Sequence, residues 1–210
     1  MTTGSDPKAD LRRCLQDARD VLLWKLEGLS EYDIRRPLTP TGTNLLGLVK
    51  HVTGAEAFYF GDTFGRPCPA PPLWITGDAP EPNADLWATA DETRERIVDD
   101  YRRVCAHADE TIETLPLDAV GRIPGDPPID LTLHRVLVHM IGETHRHAGH
   151  ADIVRELVDG ATGLRTGDSN MAPGDVTWWE KHRERVEEAA LAAEGVQGVE
   201  EAEHTGNRLR

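Results

Sequence analysis

A carboxylate and an imidazole stand one helical turn apart at Glu143 and His147, in a segment rich in histidine. Apolar residues recur at helical spacing from Leu131 to Asp159, and at about 100° per residue they form a single stripe. His147 projects onto the centre of that stripe, and Glu143 lies roughly 40° from it. Because these groups are costly to bury without compensation, we expect a divalent metal to neutralise them.

A histidine on a second predicted helix completes the ligand set. The pattern from Asn44 to Asp62 predicts a helix capped by Thr43, with His51 on the same side as the inward-facing apolar residues. Two histidines and one glutamate give Zn²⁺ three protein ligands and leave one position open, which is typical of catalytic zinc. Nitrogen and oxygen ligands also suit Ni²⁺, Fe²⁺ or Mn²⁺.

Other histidines of the same helix are assigned by their rotation around its axis. His139 and His150 flank the apolar stripe, so they are candidates for the second coordination shell, or for replacing Glu143 if the helix is rotated. His145 projects to the opposite, solvated side. A metal-free bundle, in which Glu143 is protonated or hydrogen-bonded to His51, remains the alternative.

The elements that position these residues are predicted to be helices. The fourth helix, residues 131–159, follows a natural N-cap at Asp130 and ends at Gly160, and Thr89-Ala-Asp-Glu92 and Thr177-Trp-Trp-Glu180 resemble capping boxes. The other predicted helices cover residues 9–29, 44–62, 89–115 and 177–193. No stretch shows sustained strand alternation. The chain is therefore expected to be all-α, an up-down four-helix bundle with an additional C-terminal helix.

The connections and ends differ in composition from the helices. Six prolines between Gly65 and Trp87 predict a long loop between helices 2 and 3 without a regular element, which could form one wall of a site. Residues 1–7 are expected to be disordered, residues 8–193 to form a single bundle domain, and residues 194–210 to be a flexible acidic tail.

Composition excludes several classes of function. A net charge of −14 argues against binding to nucleic acid or to an anionic membrane surface. No apolar run approaches the roughly 20 residues that span a bilayer, and the N-terminus lacks a signal segment, so a cytoplasmic location is expected. Three cysteines without a Cys-x-x-Cys pair disfavour a disulfide framework and a thiolate zinc site.

Three motifs carry a resemblance to a known family. The segment 139–156 followed by Asp159-Gly-Ala-Thr-Gly163 resembles the signature helix of the DinB-like superfamily, and in particular an actinobacterial branch of unknown function. Residues 41–51 resemble the second helix of that branch, and residues 177–180 its terminal helix. Many members bind a metal through three histidines, whereas this chain has Glu143 at the first position of the fourth-helix pair. It is similar in this respect to the mycothiol-dependent maleylpyruvate isomerases, whose ligands fall on His51, Glu143 and His147.

The resemblance implies a function as well as a fold. Related proteins are mycothiol and bacillithiol S-transferases, so the resemblance implies a metal-dependent transferase that conjugates mycothiol to a small electrophile. Because these relatives are usually dimeric, it also implies a homodimer. A thiol in the open metal position would lose its proton and become a nucleophile at neutral pH. The alternatives are a thiol-dependent isomerase or metal-assisted hydrolase, and a non-catalytic, metal-stabilised binding module.

Overall fold

A computed structural model describes the backbone of residues 6–76 and 81–206, and the side chains of residues 6–75 and 81–194. The helices are α1 (Pro7–Trp24), α2 (Glu31–Arg35), α3 (Leu45–Glu56), α4 (Leu73–Thr76), α5 (Arg94–Thr114), α6 (Leu133–Asp159) and α7 (Val176–Gly206). Strands β1 (Val120–Ile123) and β2 (Ile129–Thr132) pair as an antiparallel hairpin. The predicted all-α class is confirmed, since helices provide the architecture and the hairpin is a short insertion.

The chain divides into two compact units, Met1–Asn170 and Met171–Arg210. In the first unit the long helices α1, α3, α5 and α6 form the bundle: α1 packs against α6, and α3 packs against both α5 and α6. Each helix buries one apolar face. Residues of this core include Leu15, Leu22, Val49, Val52, Ile97, Ile112, Val136 and Met140. Burial of each such side chain stabilises the fold by about 1.5–3 kcal/mol.

An ion-pair network lies inside the bundle between three of its helices. Arg19 of α1 donates two hydrogen bonds to the Glu56 carboxylate of α3, at 2.8 and 2.7 Å, and a third to Asp109 of α5 at 2.8 Å. Arg19 and Glu56 are almost completely buried. Burial alone disfavours the charged guanidinium, but the two carboxylates outweigh it and raise the pKa of Arg19 above its usual range. The charges therefore persist in the interior because they are paired.

Helices α5 and α6 begin at residues other than the predicted ones, because different side chains cap them. Helix α5 begins at Arg94, because Thr93 accepts the Arg96 N–H at 3.2 Å, and not at the predicted capping box. The Glu92 carboxylate of that box does accept the Thr89 N–H at 2.8 Å, but it also accepts a hydrogen bond from Lys50 Nζ. Residues 89–92 thus form a separate turn before the helix.

The predicted N-cap of the fourth helix, Asp130, was also wrong. Asp130 lies in β2, where its carboxylate accepts a hydrogen bond from Arg122 of β1 at 2.7 Å. Helix α6 begins after that strand and is capped by Thr132, which accepts the Arg135 N–H at 3.2 Å. The hairpin lacks a clear period-2 pattern, which is why no strand was expected here. Gly160 ends the helix as predicted, with a positive φ of 78°.

The first and last helices differ from their predicted ranges: α1 begins and also ends earlier than the predicted 9–29, and α7 continues beyond the predicted 177–193. Helix α1 begins at Pro7 after the cap Asp6 and ends at Trp24, whereas residues 1–5 of the predicted disordered terminus lie outside the described residues. In the second unit, α7 begins at Val176, where the Asp175 carboxylate accepts the Trp178 N–H at 2.8 Å, and its backbone is helical to Gly206. The domain limits at residues 8–193 and 194–210 remain predictions.

No helix within residues 6–76 and 81–206 has both the length and the apolar character of a transmembrane span.

Candidate metal centre

His51 is presented by the second long helix of the bundle. Helix α3 begins after Asn44, whose side-chain oxygen accepts the Gly47 N–H at 2.8 Å. It buries Val49 and Val52 on either side of His51, and this fixes the rotation of the helix. The helix predicted over residues 44–62 continues past Glu56 in other hydrogen-bonding patterns, as a π-helical turn and then a 3-10 turn that ends at Phe64. His51 itself lies in the regular α-helical part.

Glu143 and His147 are presented one turn apart by α6. Their rotation is set by the apolar residues on the same face, since Met140, Ala148 and Ala151 are all buried in the bundle. The side chain of His147 is 11% exposed and that of Glu143 is 20% exposed. The predicted stripe therefore faces the core, and the two polar side chains lie where the core meets solvent.

The three predicted ligands meet at one point. The Glu143 Oε1 atom lies 2.9 Å from His147 Nε2 and 3.4 Å from His51 Nε2. The two imidazole rings pack edge to face, with centroids 4.7 Å apart. One ligand atom from each side chain falls within 4.8 Å of the others, and within residues 6–75 and 81–194 this is the group that could hold a metal ion.

The donor set fits a divalent cation. Ligand atoms at about 2.0–2.2 Å from a tetrahedral zinc lie roughly 3.3–3.6 Å apart, and the two carboxylate–imidazole distances of 2.9 and 3.4 Å are close to that spacing. All three ligand atoms lie within 4.8 Å of one another, a spacing that side-chain rotations can adjust to admit an ion. Among residues 6–75 and 81–194, the partners of the Glu143 carboxylate are two histidines and no arginine or lysine, so its charge is available to a metal.

The electrostatics of the cluster favour the protonation states that ligate. Burial acts to raise the pKa of Glu143, but the adjacent imidazoles of His147 and His51 outweigh it and lower the pKa below its usual value. Burial is the main cause that lowers the pKa of His147, and the neighbouring His51 and His150 add to it. The favoured forms are an ionised carboxylate and a neutral imidazole, the forms that bind a metal.

The proline-rich loop supplies a residue that the sequence did not indicate. Asp85 places a carboxylate oxygen 2.7 Å from Nδ1 of His51, on the side of the ring away from Glu143. It lies in a 3-10 turn, Ala84–Leu86, and α4 begins after Pro72, so the loop is more regular than predicted. Proline is compatible with the first turn of a helix, which explains α4. No sequence spacing links Asp85 to His51, because the contact is tertiary.

The remaining histidines have varied surroundings. The ring of His150 lies beside that of His147, with centroids 5.4 Å apart, whereas the exposed His139 packs on the ring of Tyr59 at 4.5 Å. His145 is exposed and its Nδ1 lies 2.9 Å from the Ile141 carbonyl. Of the two flanking histidines, His150 is therefore the one in contact with a predicted ligand. Its place in a second coordination shell stays a prediction.

Comparisons with known proteins are consistent with this fold and site. A family model described as mycothiol S-transferase matches residues 10–160, which include all three predicted ligands. A solved structure, described as the conserved protein of a locus from Enterococcus faecalis, is 17% identical and has a TM-score of 0.58, covering 75% of this chain and 99% of its own. At that identity the likeness concerns the fold alone. A search of curated proteins found no match.

Proposed function

Since the chain belongs to the mycothiol S-transferase family, a DinB-like family as its motifs indicated, we propose that it is a metal-dependent S-transferase that conjugates mycothiol to a small electrophile. The observation that carries the proposal is the convergence of His51, Glu143 and His147 on one point between α3 and α6. Three protein ligands leave a coordination position free for a further group. Zinc is the metal we expect, and nickel, iron or manganese also suit these ligands.

The location of the cluster supports a site that a small thiol can reach. The side chain of His51 is 28% exposed and that of Glu143 is 20% exposed, whereas His147 is nearly buried. A divalent cation held there would lower the pKa of a bound thiol, so that the nucleophilic thiolate forms near neutral pH. Solvent therefore has access to one side of the cluster, and the protein core covers the other.

Each residue of the cluster has a separate task in this proposal. Glu143 supplies negative charge, and one of its carboxylate oxygens lies close to the Nε2 atoms of both imidazoles. His147, on the buried side, is fixed by the packing of α6 and offers a neutral nitrogen. His51, on a different helix, ties the centre to the rest of the bundle. The identity of the electrophile is left to experiment.

The proposal is tested by conjugation in vitro. Metal-free and zinc-loaded protein are incubated with mycothiol and monochlorobimane, and conjugate fluorescence is followed against the reaction without enzyme. We expect turnover by the zinc-loaded protein, loss of turnover in His147→Ala, and unchanged turnover in His145→Ala, whose side chain points to solvent. Mycothiol should be consumed in proportion to conjugate, whereas an isomerase would return it unchanged.

An absence of any rate above background across several electrophiles, by protein shown to contain metal, would contradict the proposal. Equal rates in the His147→Ala and His145→Ala variants would contradict the assignment of the site.

A further inference from the structure

The segment that carries Asp85 lies directly against α3. A Cβ atom added at Gly47 would come within 1.9 Å of the Leu86 carbonyl oxygen, so only a glycine allows this approach. The Asn44 side chain, one turn earlier, donates a hydrogen bond to the same oxygen at 3.0 Å. The backbone of residues 84–87 is thus held in van der Waals contact with the helix that bears His51.

A buried lysine of the same helix, one turn after Gly47, also fixes this segment. Lys50 Nζ donates to the Ala84 carbonyl at 2.8 Å and to the Trp87 carbonyl at 2.7 Å. Its charge is balanced by the Glu92 carboxylate at 2.9 Å. The Lys50 side chain is only 2% exposed, and buried hydrogen bonds from a charged donor are among the stronger ones. Because Lys50 directly precedes His51 in α3, residues 84–87 are anchored to the same turn of the helix that bears the predicted ligand.

The restrained segment directs one carboxylate to His51. The Asp85 oxygen lies 2.7 Å from Nδ1, a shorter contact than the 3.4 Å from Nε2 to Glu143 Oε1. That Glu143 oxygen is also shared with His147 at 2.9 Å. Nδ1–H donation to Asp85 is therefore the stronger of the two hydrogen bonds open to a neutral ring, and it leaves the Nε2 lone pair facing the cluster.

From this arrangement we infer that Asp85 is a positioning residue of the metal centre, which holds His51 in the Nδ1–H tautomer so that Nε2 is the ligand atom. The inference rests on the proposed metal site. Asp85 acts through His51 and is not itself a ligand, because its oxygen lies at the ring nitrogen that points away from Glu143. Ligand histidines commonly need such an acceptor, and its loss costs about 10- to 100-fold in metal affinity.

The test compares variants that remove a carboxylate from the same loop. Asp85→Ala removes the acceptor, Asp85→Asn retains a neutral one, and Glu81→Ala removes an exposed charge nearby as the matched control. Zinc affinity is measured by competition with a chromophoric chelator. Asp85→Ala should weaken zinc binding by about 10- to 100-fold, Asp85→Asn by less, and Glu81→Ala not at all. The melting temperatures of the metal-free variants should match that of the wild type, because Asp85 is partly exposed.

A second readout does not depend on metal. Nitrogen-15 NMR of the metal-free protein, at a pH where His51 is neutral, reports which ring nitrogen carries the proton. We expect Nδ1–H in the wild type and a shift toward Nε2–H in Asp85→Ala. A wild-type ring protonated mainly on Nε2, or an Asp85→Ala variant with wild-type tautomer and wild-type zinc affinity, would overturn the inference. A wild type that binds no zinc would instead refute the proposed function, and the tautomer would still decide the role of Asp85.

Discussion

Gly47→Ala tests the close packing of residues 84–87, which carry Asp85, against the helix that bears His51. Its added Cβ would lie 1.9 Å from the Leu86 carbonyl oxygen and 2.4 Å from the carbonyl carbon, and both atoms belong to the backbone. Real Cβ atoms essentially never come within 3.0 Å of such an atom, so the segment must move by at least about 1 Å. That movement withdraws two carbonyls from Lys50 and one from Asn44.

The expected loss follows from these contacts. A buried hydrogen bond from a charged donor contributes about 1.5–3 kcal/mol and a neutral one about 1 kcal/mol. Because the loop can partly re-form its bonds after moving, we expect a loss of about 2–4 kcal/mol. Alanine in place of glycine in a helix returns about 1 kcal/mol. The net change in the free energy of unfolding is then about 1–3 kcal/mol in the destabilising direction.

The matched control is Gly54→Ala on the same helix. Its added Cβ would meet the Ile75 side chain at 4.0 Å, an ordinary contact, so this variant should be as stable as the wild type or more stable by up to about 1 kcal/mol. Urea unfolding of the metal-free proteins measures both. Equal stability of the Gly47→Ala and Gly54→Ala variants would refute the close packing of residues 84–87 on α3.

Three further predictions concern the metal, the buried ion pair and pH. His147→Ala should abolish stoichiometric metal measured by plasma mass spectrometry on untagged protein, whereas His145→Ala should retain it; equal metal content would refute the rotational assignment of α6. Glu56→Gln leaves the buried Arg19 without its main counter-charge, so urea unfolding should show a loss of about 3 kcal/mol, and wild-type stability would contradict the role given to the pair. Burial lowers the pKa of His147 below the ordinary 6.5, so near that pH the unfolded chain binds more protons at this residue than the folded protein does. The contribution of His147 to the free energy of unfolding should therefore fall as the pH drops through 6.5. NMR titration of the metal-free protein should therefore give a midpoint for His147 below 6.5, and a midpoint above that value would contradict the burial argument.

The rotation of α6 could be predicted from the sequence because one face of this helix packs in the bundle core and the opposite face is exposed to solvent. Met140 and Ala151 are buried as the apolar stripe indicated, and the same projection turned His147 inward and His145 outward. Glu143 could be placed on the same face of α6 from the same pattern, since one turn separates it from His147. Helical periodicity thus contains the information on which side chains of one helix face inward.

Contacts between elements distant in sequence could not be predicted in this way. Asp85 reaches His51 only because Gly47 and Lys50 fix the loop, and no spacing rule links these residues. The start of α6 was misplaced for a similar reason, since Asp130 pairs with Arg122 across a hairpin and is not free to cap. In both cases a tertiary partner prevails over the local signal.

The histidine at position 107 shows the same effect on a smaller scale. Its charged neighbours in sequence favour an exposed position, yet its Nε2 lies 2.7 Å from the Arg66 carbonyl and its side chain is only 15% exposed. The loop after α3 covers this part of α5. Sequence neighbours describe the helix surface, but not what folds over it.

X-ray absorption spectroscopy of the wild-type protein with one equivalent of Zn²⁺ tests most directly whether His51, Glu143 and His147 share one cation. The proposed centre predicts scattering from two imidazole rings and a carboxylate oxygen at about 2.0–2.2 Å from the metal. A spectrum without imidazole scattering, or zinc that is lost from the protein on gel filtration, would contradict it.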